Sequence, residues 1–232
     1  MIKNYIIFGG SGDLGKSLTT ELLLGNANVW ASYKNNPIDL KGSPFYFDAE
    51  KGLSTTTLEL FTKLHIDGLV FLIGKKSGKK LVRETSLKEW ENLLDINALS
   101  FLKIYNQLYE ALRESRTKIV VISSSAPYEN KRLNGAYSGS KALLESICLT
   151  IAKEEEENGI RINIIAPSLI DTKLAREIVK LKGYQNFEQY VAECLNGRIL
   201  KTKDVVKIIC ELLLDDNACN TTGKIIRLGD YY

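Results

Sequence analysis

The sequence has very little histidine: His65 is the only one among 232 residues. A single histidine excludes a zinc site built from several histidines and argues against a Ser-His-Asp triad. The four cysteines, Cys148, Cys194, Cys210 and Cys219, show no metal-ligand or redox spacing, which favours reduced thiols in an intracellular protein. We therefore expect no metal site.

Long apolar runs are also missing. No apolar stretch is long enough to span a bilayer, and the N-terminal residues enter a strand-like run without a signal-peptide pattern. The formal net charge is +3, and basic residues are interleaved with acidic ones, so we expect neither a nucleic-acid nor a membrane partner. These features favour a cytoplasmic protein. The length predicts a single domain, residues 1–232.

Short apolar runs alternate with helical patterns along the whole chain. The predicted strands cover residues 5–8, 29–32, 45–47, 68–73, 118–122, 160–165 and 224–228. This alternation predicts an α/β fold of the Rossmann type, with a doubly wound, seven-stranded parallel sheet and helices on both faces. Only a short segment containing Pro37 separates the second and third strands, so we expect a very short crossover helix or none.

Residues from about 173 to 200 are predicted to form a short helical lid after the sixth strand, with breaks at Gly183 and Gly197. Its apolar residues are interleaved with lysines. They are expected either to line an apolar pocket with basic edges or to pack a small core of the lid itself.

A glycine-rich turn follows the first predicted strand. Gly10, Gly12 and Gly15 fit the spacing of a dinucleotide fingerprint, and a helical pattern follows them. Glycines let the backbone approach a pyrophosphate, and the helix N-terminus offers N–H groups to its oxygens. The alternative is a strand-to-helix turn without a ligand. The expected cofactor contacts in this turn are Gly9, Ser11, Gly12, Asp13, Leu14 and Gly15.

The segment after the second strand, residues 33–37, contains no acidic residue. An acid there would bind the ribose hydroxyls and favour NAD. Lys34 could instead pair with a 2′-phosphate, which favours NADP(H) over NAD(H); the alternative is a solvated loop lysine. Residues 75–80, after the fourth strand, are basic. They could attract an anionic substrate or simply form a solvated charge run.

Tyr137 and Lys141 lie four residues apart at the start of a long helical pattern, so they share one helix face. An ammonium beside a phenol stabilises the phenolate, so we expect the pKa of Tyr137 to fall from about 10. Such a tyrosine can transfer a proton near neutral pH. Ser124 follows the fifth strand, at the strand end where ligands bind in doubly wound sheets.

Asn97 interrupts the apolar stripe of a long predicted helix that opens at Ser86 and runs to about Arg113. Because a buried amide needs hydrogen-bond partners, Asn97 is either a satisfied core residue or part of a site.

In this order the motifs resemble the short-chain dehydrogenase/reductase family over essentially the whole chain. Tyr137-x-x-x-Lys141, with Ser124 thirteen residues before the tyrosine and Asn97 in the preceding helix, looks like that family's serine–tyrosine–lysine–asparagine tetrad. The family's glycine turn usually reads Gly-x-x-x-Gly-x-Gly, and here Asp13 replaces the middle glycine. The usual Asn-Asn-Ala-Gly after the fourth strand keeps only its glycine. These departures indicate a divergent member.

The resemblance implies hydride transfer between a nicotinamide and a carbonyl or alcohol substrate. Ser124 would orient the substrate oxygen, and Tyr137 would exchange a proton with it. Lys141 would lower the pKa of Tyr137 and bind the ribose, and Asn97 would hold a water that links Lys141 to solvent. Further cofactor contacts are implied for Asp48 at the adenine, Gly74 at the adenosine ribose, and Ile170 and Thr172 at the nicotinamide.

An NADPH-dependent ketone reductase, of the 3-oxoacyl type or similar, is the function expected from these features. The alternative is a catalytically idle sensor that binds dinucleotide and reports its level to a partner. A nucleotide-sugar epimerase usually needs a larger C-terminal domain than the roughly 30 residues that precede the final helix here. Apolar faces on the long helices, which pair across a twofold axis in this family, predict a homodimer or homotetramer.

Overall fold

The computed structural model describes residues 2–35, 42–181, 183–194, 199–215 and 221–229. The strands are β1 (Asn4–Phe8), β2 (Asn28–Tyr33), β3 (Ser43–Tyr46), β4 (Gly68–Phe71), β5 (Lys118–Ile122), β6 (Arg161–Pro167), β7 (Ile170–Asp171), β8 (Leu200–Lys201) and β9 (Ile225–Leu228). The α-helices are α1 (Asp13–Leu24), α2 (Thr55–Thr62), α3 (Leu87–Leu94), α4 (Ser100–Glu114), α5 (Ala126–Glu129), α6 (Gly135–Glu154), α7 (Lys173–Leu181), α8 (Phe187–Glu193) and α9 (Thr202–Leu214).

Seven parallel strands form one sheet in the order β3-β2-β1-β4-β5-β6-β9, which confirms the predicted architecture. The chain builds outward from β1 to β3 and then returns to the centre, where β4 pairs with the other side of β1. The loops that follow β1 and β4 therefore diverge. In such sheets, this point of reversal opens a crevice beyond the carboxyl ends of the strands.

Apolar side chains cover both faces of the sheet, because successive side chains of a strand point to opposite sides. In β1, Ile6 and Phe8 belong to one core cluster and Tyr5 and Ile7 belong to the other. Helices α1 and α9 pack together on the side of Tyr5, whereas α2, α4 and α6 cover the opposite side. Helices thus flank both faces, as predicted.

The lid contains α7 and α8, in agreement with its two predicted helices. Its base carries a feature that was not predicted: β7 and β8 pair in parallel and join the start of the lid to its end. The lid break at Gly197 and the Pro37 connection lie outside the described residues. So does Cys219, whereas the other three cysteines are unpaired thiols. In the described ranges, no helix has the length and apolar character that crossing a bilayer requires.

Candidate active site

The turn after β1 is closely packed at its glycines. Gly9 has a φ of +91°, in the left-handed region that favours glycine. A Cβ on Gly15 would lie 2.4 Å from the Gly9 carbonyl oxygen, and one on Gly10 would lie 2.7 Å from the Ala31 Cβ. The Gly9 N–H donates to the Ser32 hydroxyl at 2.8 Å. Glycine therefore sets the close approach of α1 to β1.

Helix α1 begins at Asp13 and directs its N-terminus at the crevice, with Gly12 as its N-cap. The first N–H groups of a helix have no partner within it, and Gly12 has no side chain to accept from them. The amides at Asp13, Leu14 and Gly15 can therefore bind an anion at the positive end of the helix dipole. Ser11, a predicted cofactor contact, stabilises the turn, because its N–H donates to the Ser32 carbonyl at 3.1 Å.

The Asp13 carboxylate points toward the lid. Its Oδ2 accepts the N–H of Lys173, the first residue of α7, at 2.9 Å. A carboxylate at this place satisfies one N-terminal amide of α7 and interacts favourably with the dipole of that helix. The residue that departs from the family's glycine pattern thus joins the glycine-rich turn to the lid.

Asn97 lies in a π-helical turn, Asp95–Leu99, that interrupts the predicted long helix between α3 and α4. It is fully buried. Its Oδ1 accepts the Lys75 N–H at 2.6 Å, and its Nδ2 donates to the Lys75 carbonyl and to the Ser140 hydroxyl, both at 2.9 Å. Asn97 therefore joins the loop after β4 to helix α6.

These hydrogen bonds limit how Asn97 could hold a water, which is the role expected of it. Both hydrogens of its side-chain amide are used by protein acceptors, which leaves only acceptor capacity on Oδ1 and on the backbone carbonyl. The side chain acts first as a brace between two segments that flank Lys141. A π-helical turn is a feature often found at functional sites.

Ser124, Tyr137 and Lys141 come together at the carboxyl ends of β4 and β5. The Ser124 side chain lies close enough to the Tyr137 phenol to lower its pKa, which places the end of β5 beside α6. Lys141 is 2% exposed, and its ammonium donates to the carbonyls of Ile122 at 3.0 Å and Ile73 at 3.4 Å. Gly74 lies beside this ammonium, since a Cβ placed on the glycine would be 3.4 Å from Nζ.

The expected fall in the pKa of Tyr137 was wrong. Burial raises that pKa above its ordinary value, and the nearby Ser124 side chain lowers it by less. The physical reason is that the Lys141 ammonium is directed at backbone carbonyls instead of at the phenol. Burial in turn lowers the pKa of Lys141 to about 8. Tyr137 is therefore a protonated phenol at neutral pH, and the Lys141 ammonium, on the same helix face, can lose its proton in mild base.

Lys34 and Asp48, both predicted to contact the cofactor, contact each other. The Lys34 Nζ lies 3.0 Å from the Asp48 Oδ1, after the ends of β2 and β3. Asp48 is buried and also accepts the Glu50 N–H at 3.1 Å, and its bond with Lys34 lowers its pKa. The Lys34 side chain is 49% exposed, so its ammonium can face solvent while it stays near Asp48.

Ile170 and Thr172 lie at the base of the lid. The Thr172 hydroxyl donates to the Ile170 carbonyl at 3.2 Å and accepts the Ala175 N–H at 3.2 Å. Thr172 therefore helps to start α7, and both residues lie next to the carboxyl end of β6.

The basic loop after β4 is extensively paired with acidic and polar side chains. Lys76 lies 3.2 Å from Glu177 of α7, and Lys80 lies 2.6 Å from Glu89 of α3. Exposed pairs of this kind contribute about 0–1 kcal/mol each. The pairing favours the interpretation of a solvated charge run over that of an anion site.

Among the described residues of the lid, the apolar side chains pack chiefly against one another. Ala175, Val179 and Phe187 form a small core of buried residues. Tyr184 and Tyr190 pack around it, with their rings in an edge-to-face arrangement. The lid core, and not a lined pocket, is thus the interpretation that the structure favours.

A buried polar cluster under Ser124 was missed by the sequence analysis. Its centre is Glu145, a carboxylate on the buried stripe of α6 between Leu144 and Cys148. The sequence feature that could have indicated this cluster is a charged residue one helical turn after Lys141 on that stripe.

A doubly wound sheet with a glycine-rich turn at the point where the strand order reverses is typical of dinucleotide-dependent oxidoreductases. Residues 51–228 match the family model described as Enoyl-(Acyl carrier protein) reductase, which is more than half of the chain. The chain belongs to the short-chain dehydrogenase/reductase family. It is therefore an NAD(P)-dependent dehydrogenase or reductase that acts on alcohol or carbonyl groups.

Its relatives are distant. A 3-oxoacyl-[acyl-carrier-protein] reductase of Buchnera aphidicola is 26% identical over 239 residues, which cover 98% of this chain and 96% of the relative. A benzil reductase of Saccharomyces cerevisiae is 26% identical over 176 residues, 71% of this chain and 67% of the relative.

Solved structures show the same fold. A short-chain type dehydrogenase/reductase from Mycobacterium ulcerans gives a TM-score of 0.84 at 22% identity, over 97% of this chain and 87% of the other. The protein ElxO with NADP bound gives a TM-score of 0.80 at 20% identity, over 98% and 97%. At such identities the likeness concerns the fold alone.

Proposed function

We propose that this protein is an NADPH-dependent reductase of a ketone, of the 3-oxoacyl type or similar, and that residues 1–232 form one dinucleotide-binding domain. The observation that carries the proposal is the meeting of Ser124, Tyr137 and Lys141 at the carboxyl edge of the sheet. Their position beside the turn that opens α1 supports a site shared by cofactor and substrate.

The turn suits a pyrophosphate, because a side chain at Gly15 would collide with the Gly9 carbonyl and the first amides of α1 point at the crevice. The amides of Asp13 and Leu14 would hold the phosphates. The remaining contacts proposed for the cofactor are Asp48 at the adenine, Gly74 at the adenosine ribose, and Ile170 with Thr172 at the nicotinamide.

When bound, the nicotinamide supplies the hydride. The Ser124 hydroxyl orients the substrate oxygen, and Tyr137 gives its proton to that oxygen as negative charge develops. A raised pKa keeps Tyr137 protonated at neutral pH, which suits an acid and hence reduction of a ketone. Lys141 has three donor hydrogens, and two backbone carbonyls use two of them. The third is available for a ribose hydroxyl.

Lys34 supports the preference for NADPH. No acid follows β2 in the described residues 33–35, and a half-exposed ammonium stands there instead. Its bond with the buried Asp48 holds it at the edge of the crevice, where a 2′-phosphate would lie. The relative ElxO binds NADP, and an actinorhodin polyketide ketoreductase of the same fold was crystallised with NADPH.

The ketone class is supported by the 3-oxoacyl reductase relative, which matches nearly the whole chain. We further propose a cytoplasmic homodimer or homotetramer. Partly exposed apolar side chains on α4, α6 and the π-helical turn before α4 support an association of copies: Ile96, Leu99, Leu102, Tyr109, Leu143 and Ile147.

Cofactor oxidation with a panel of ketones, including a 3-oxoacyl thioester, tests the proposal. We expect turnover with at least one ketone and faster turnover with NADPH than with NADH. Dinucleotide binding without turnover on any ketone or alcohol would favour the idle sensor. A preference for NADH would contradict the proposed part played by Lys34.

A further inference from the structure

A buried carboxylate lies beneath the group of Ser124, Tyr137 and Lys141. Glu145 of α6 is 6% exposed. Its Oε2 accepts the Tyr128 hydroxyl at 2.6 Å, and its Oε1 accepts the Ser123 hydroxyl. Burying a carboxylate is unfavourable unless its oxygens are hydrogen-bonded, and here each oxygen has a donor. The carboxylate is therefore held in one place.

The two donors come from either side of Ser124. Ser123 connects the end of β5 to Ser124, and Tyr128 belongs to α5, the short helix that begins directly after the serines. Through these two bonds Glu145 attaches both flanks of Ser124 to α6. The same helix carries Tyr137, and the Ser124 side chain lies near its phenol. Glu145 thus sets the position of the β5–α5 segment relative to the catalytic helix.

Glu145 also follows Lys141 by one helical turn, so the two side chains lie on one face of α6. Its negative charge raises the pKa of Lys141 and opposes the larger effect of burial. Two other titratable groups lie near Glu145. Burial raises the pKa of Cys148 on α6, and burial together with Glu145 raises the pKa of Tyr128. Arg227 of β9 stacks on Tyr128, with its guanidinium carbon 3.7 Å from the ring centroid.

We propose that Glu145 is a positioning residue of this active site, which holds Ser124 in place near Tyr137 and supports the ammonium of Lys141 with its charge. The inference rests on the proposed function of that group. Tyr128 and Ser123 can each accept as well as donate a hydrogen bond, so a glutamine at 145 can keep both bonds while losing the charge. Glu145→Gln therefore separates the effect of the charge from that of the clamp, by which we mean the two hydrogen bonds with Ser123 and Tyr128.

The test measures rate against pH for the wild type, Glu145→Gln and Tyr128→Phe, with NADPH and a reducible ketone. Glu145→Gln should move the basic limb of kcat/KM to lower pH, with a loss on the order of tenfold above that limb and little loss well below it. Tyr128→Phe keeps the charge and removes one donor, so it should lower kcat similarly at all pH values. Glu59→Gln, an exposed change of the same charge in α2, is the matched control.

A Glu145→Gln enzyme with the wild-type pH profile would overturn the inference. So would a Tyr128→Phe enzyme with unchanged kcat. If Glu145→Gln does not fold, Ser123→Ala tests the clamp, with an expected fall in kcat at constant KM for NADPH; unchanged kcat would again overturn it.

An NMR titration of labelled lysine side chains reports the pKa of Lys141 without any turnover. We expect a lower pKa in Glu145→Gln than in the wild type, and equal values would overturn the inference. Absence of turnover in the wild type would count against the proposed function alone.

Discussion

Replacing Lys141 with methionine should abolish turnover and yet make the protein more stable at neutral pH. Lys141 is 2% exposed, and burial lowers its pKa from 10.5 to about 8. Because one pKa unit corresponds to about 1.4 kcal/mol, carrying this proton in the fold costs roughly 3 kcal/mol relative to the unfolded chain. Methionine fills a similar volume without a charge and removes that cost.

Part of the gain is lost through hydrogen bonds. The ammonium donates to the carbonyls of Ile122 and Ile73, and both carbonyls lose this donor in Lys141→Met. Each such loss costs about 1 kcal/mol. The free energy of unfolding should therefore rise by roughly 1 kcal/mol near neutral pH.

The difference between the two proteins depends on pH with a definite sign. The unfolded chain keeps the Lys141 proton up to its ordinary pKa of 10.5, whereas the folded chain releases it near 8. The wild type therefore gains stability relative to Lys141→Met as the pH rises from about 8 toward about 10.5. Urea unfolding near pH 7 and at about pH 9.5 measures both effects. A variant less stable than the wild type near pH 7, or a pH-independent difference, would refute the reasoning.

Three further variants test other contacts. Lys34→Ala should weaken NADPH binding by about ten- to hundredfold and spare NADH binding, because a charged hydrogen bond contributes about 1.5–3 kcal/mol. The control is Lys63→Ala, a change at an exposed lysine. Equal losses of affinity for both cofactors would argue against a contact between Lys34 and the 2′-phosphate. Asn97→Ala should lower the free energy of unfolding by about 2–4 kcal/mol, because the partly buried backbone groups of Lys75 and the buried Ser140 hydroxyl lose partners. Wild-type stability in urea would exclude this brace. Asp13→Ala should speed limited proteolysis within α7, and an unchanged cleavage rate would show that the Asp13 bond does not hold the lid.

The elements of the fold could be predicted because their signals are local. A parallel strand buried on both faces gives a continuous apolar run, as in Lys118–Ile122. The capping box at Ser86 likewise marks the start of α3 within four residues. The two-residue strands β7 and β8 are too short to produce any pattern, and a π-helical turn has the composition of an ordinary helix.

The sequence predicts which residues form the candidate site better than it predicts the contacts they make. Ser124, Tyr137 and Lys141 share sequence spacings with a known family, so their meeting could be expected. The burial of Tyr137, which raises its pKa, depends on tertiary packing, and so does the direction of the Lys141 ammonium toward Ile122. The same holds for the bond from Asp13 to the lid, since it joins residues 160 positions apart.

The central claim is that Tyr137 gives the proton during reduction. The direct measurement compares Tyr137→Phe with the wild type, in NADPH oxidation with a reducible ketone and in NADPH binding by calorimetry. The variant keeps the ring and loses the hydroxyl, so it should lose nearly all turnover while its dissociation constant for NADPH stays within about twofold. Wild-type turnover in Tyr137→Phe would contradict the claim.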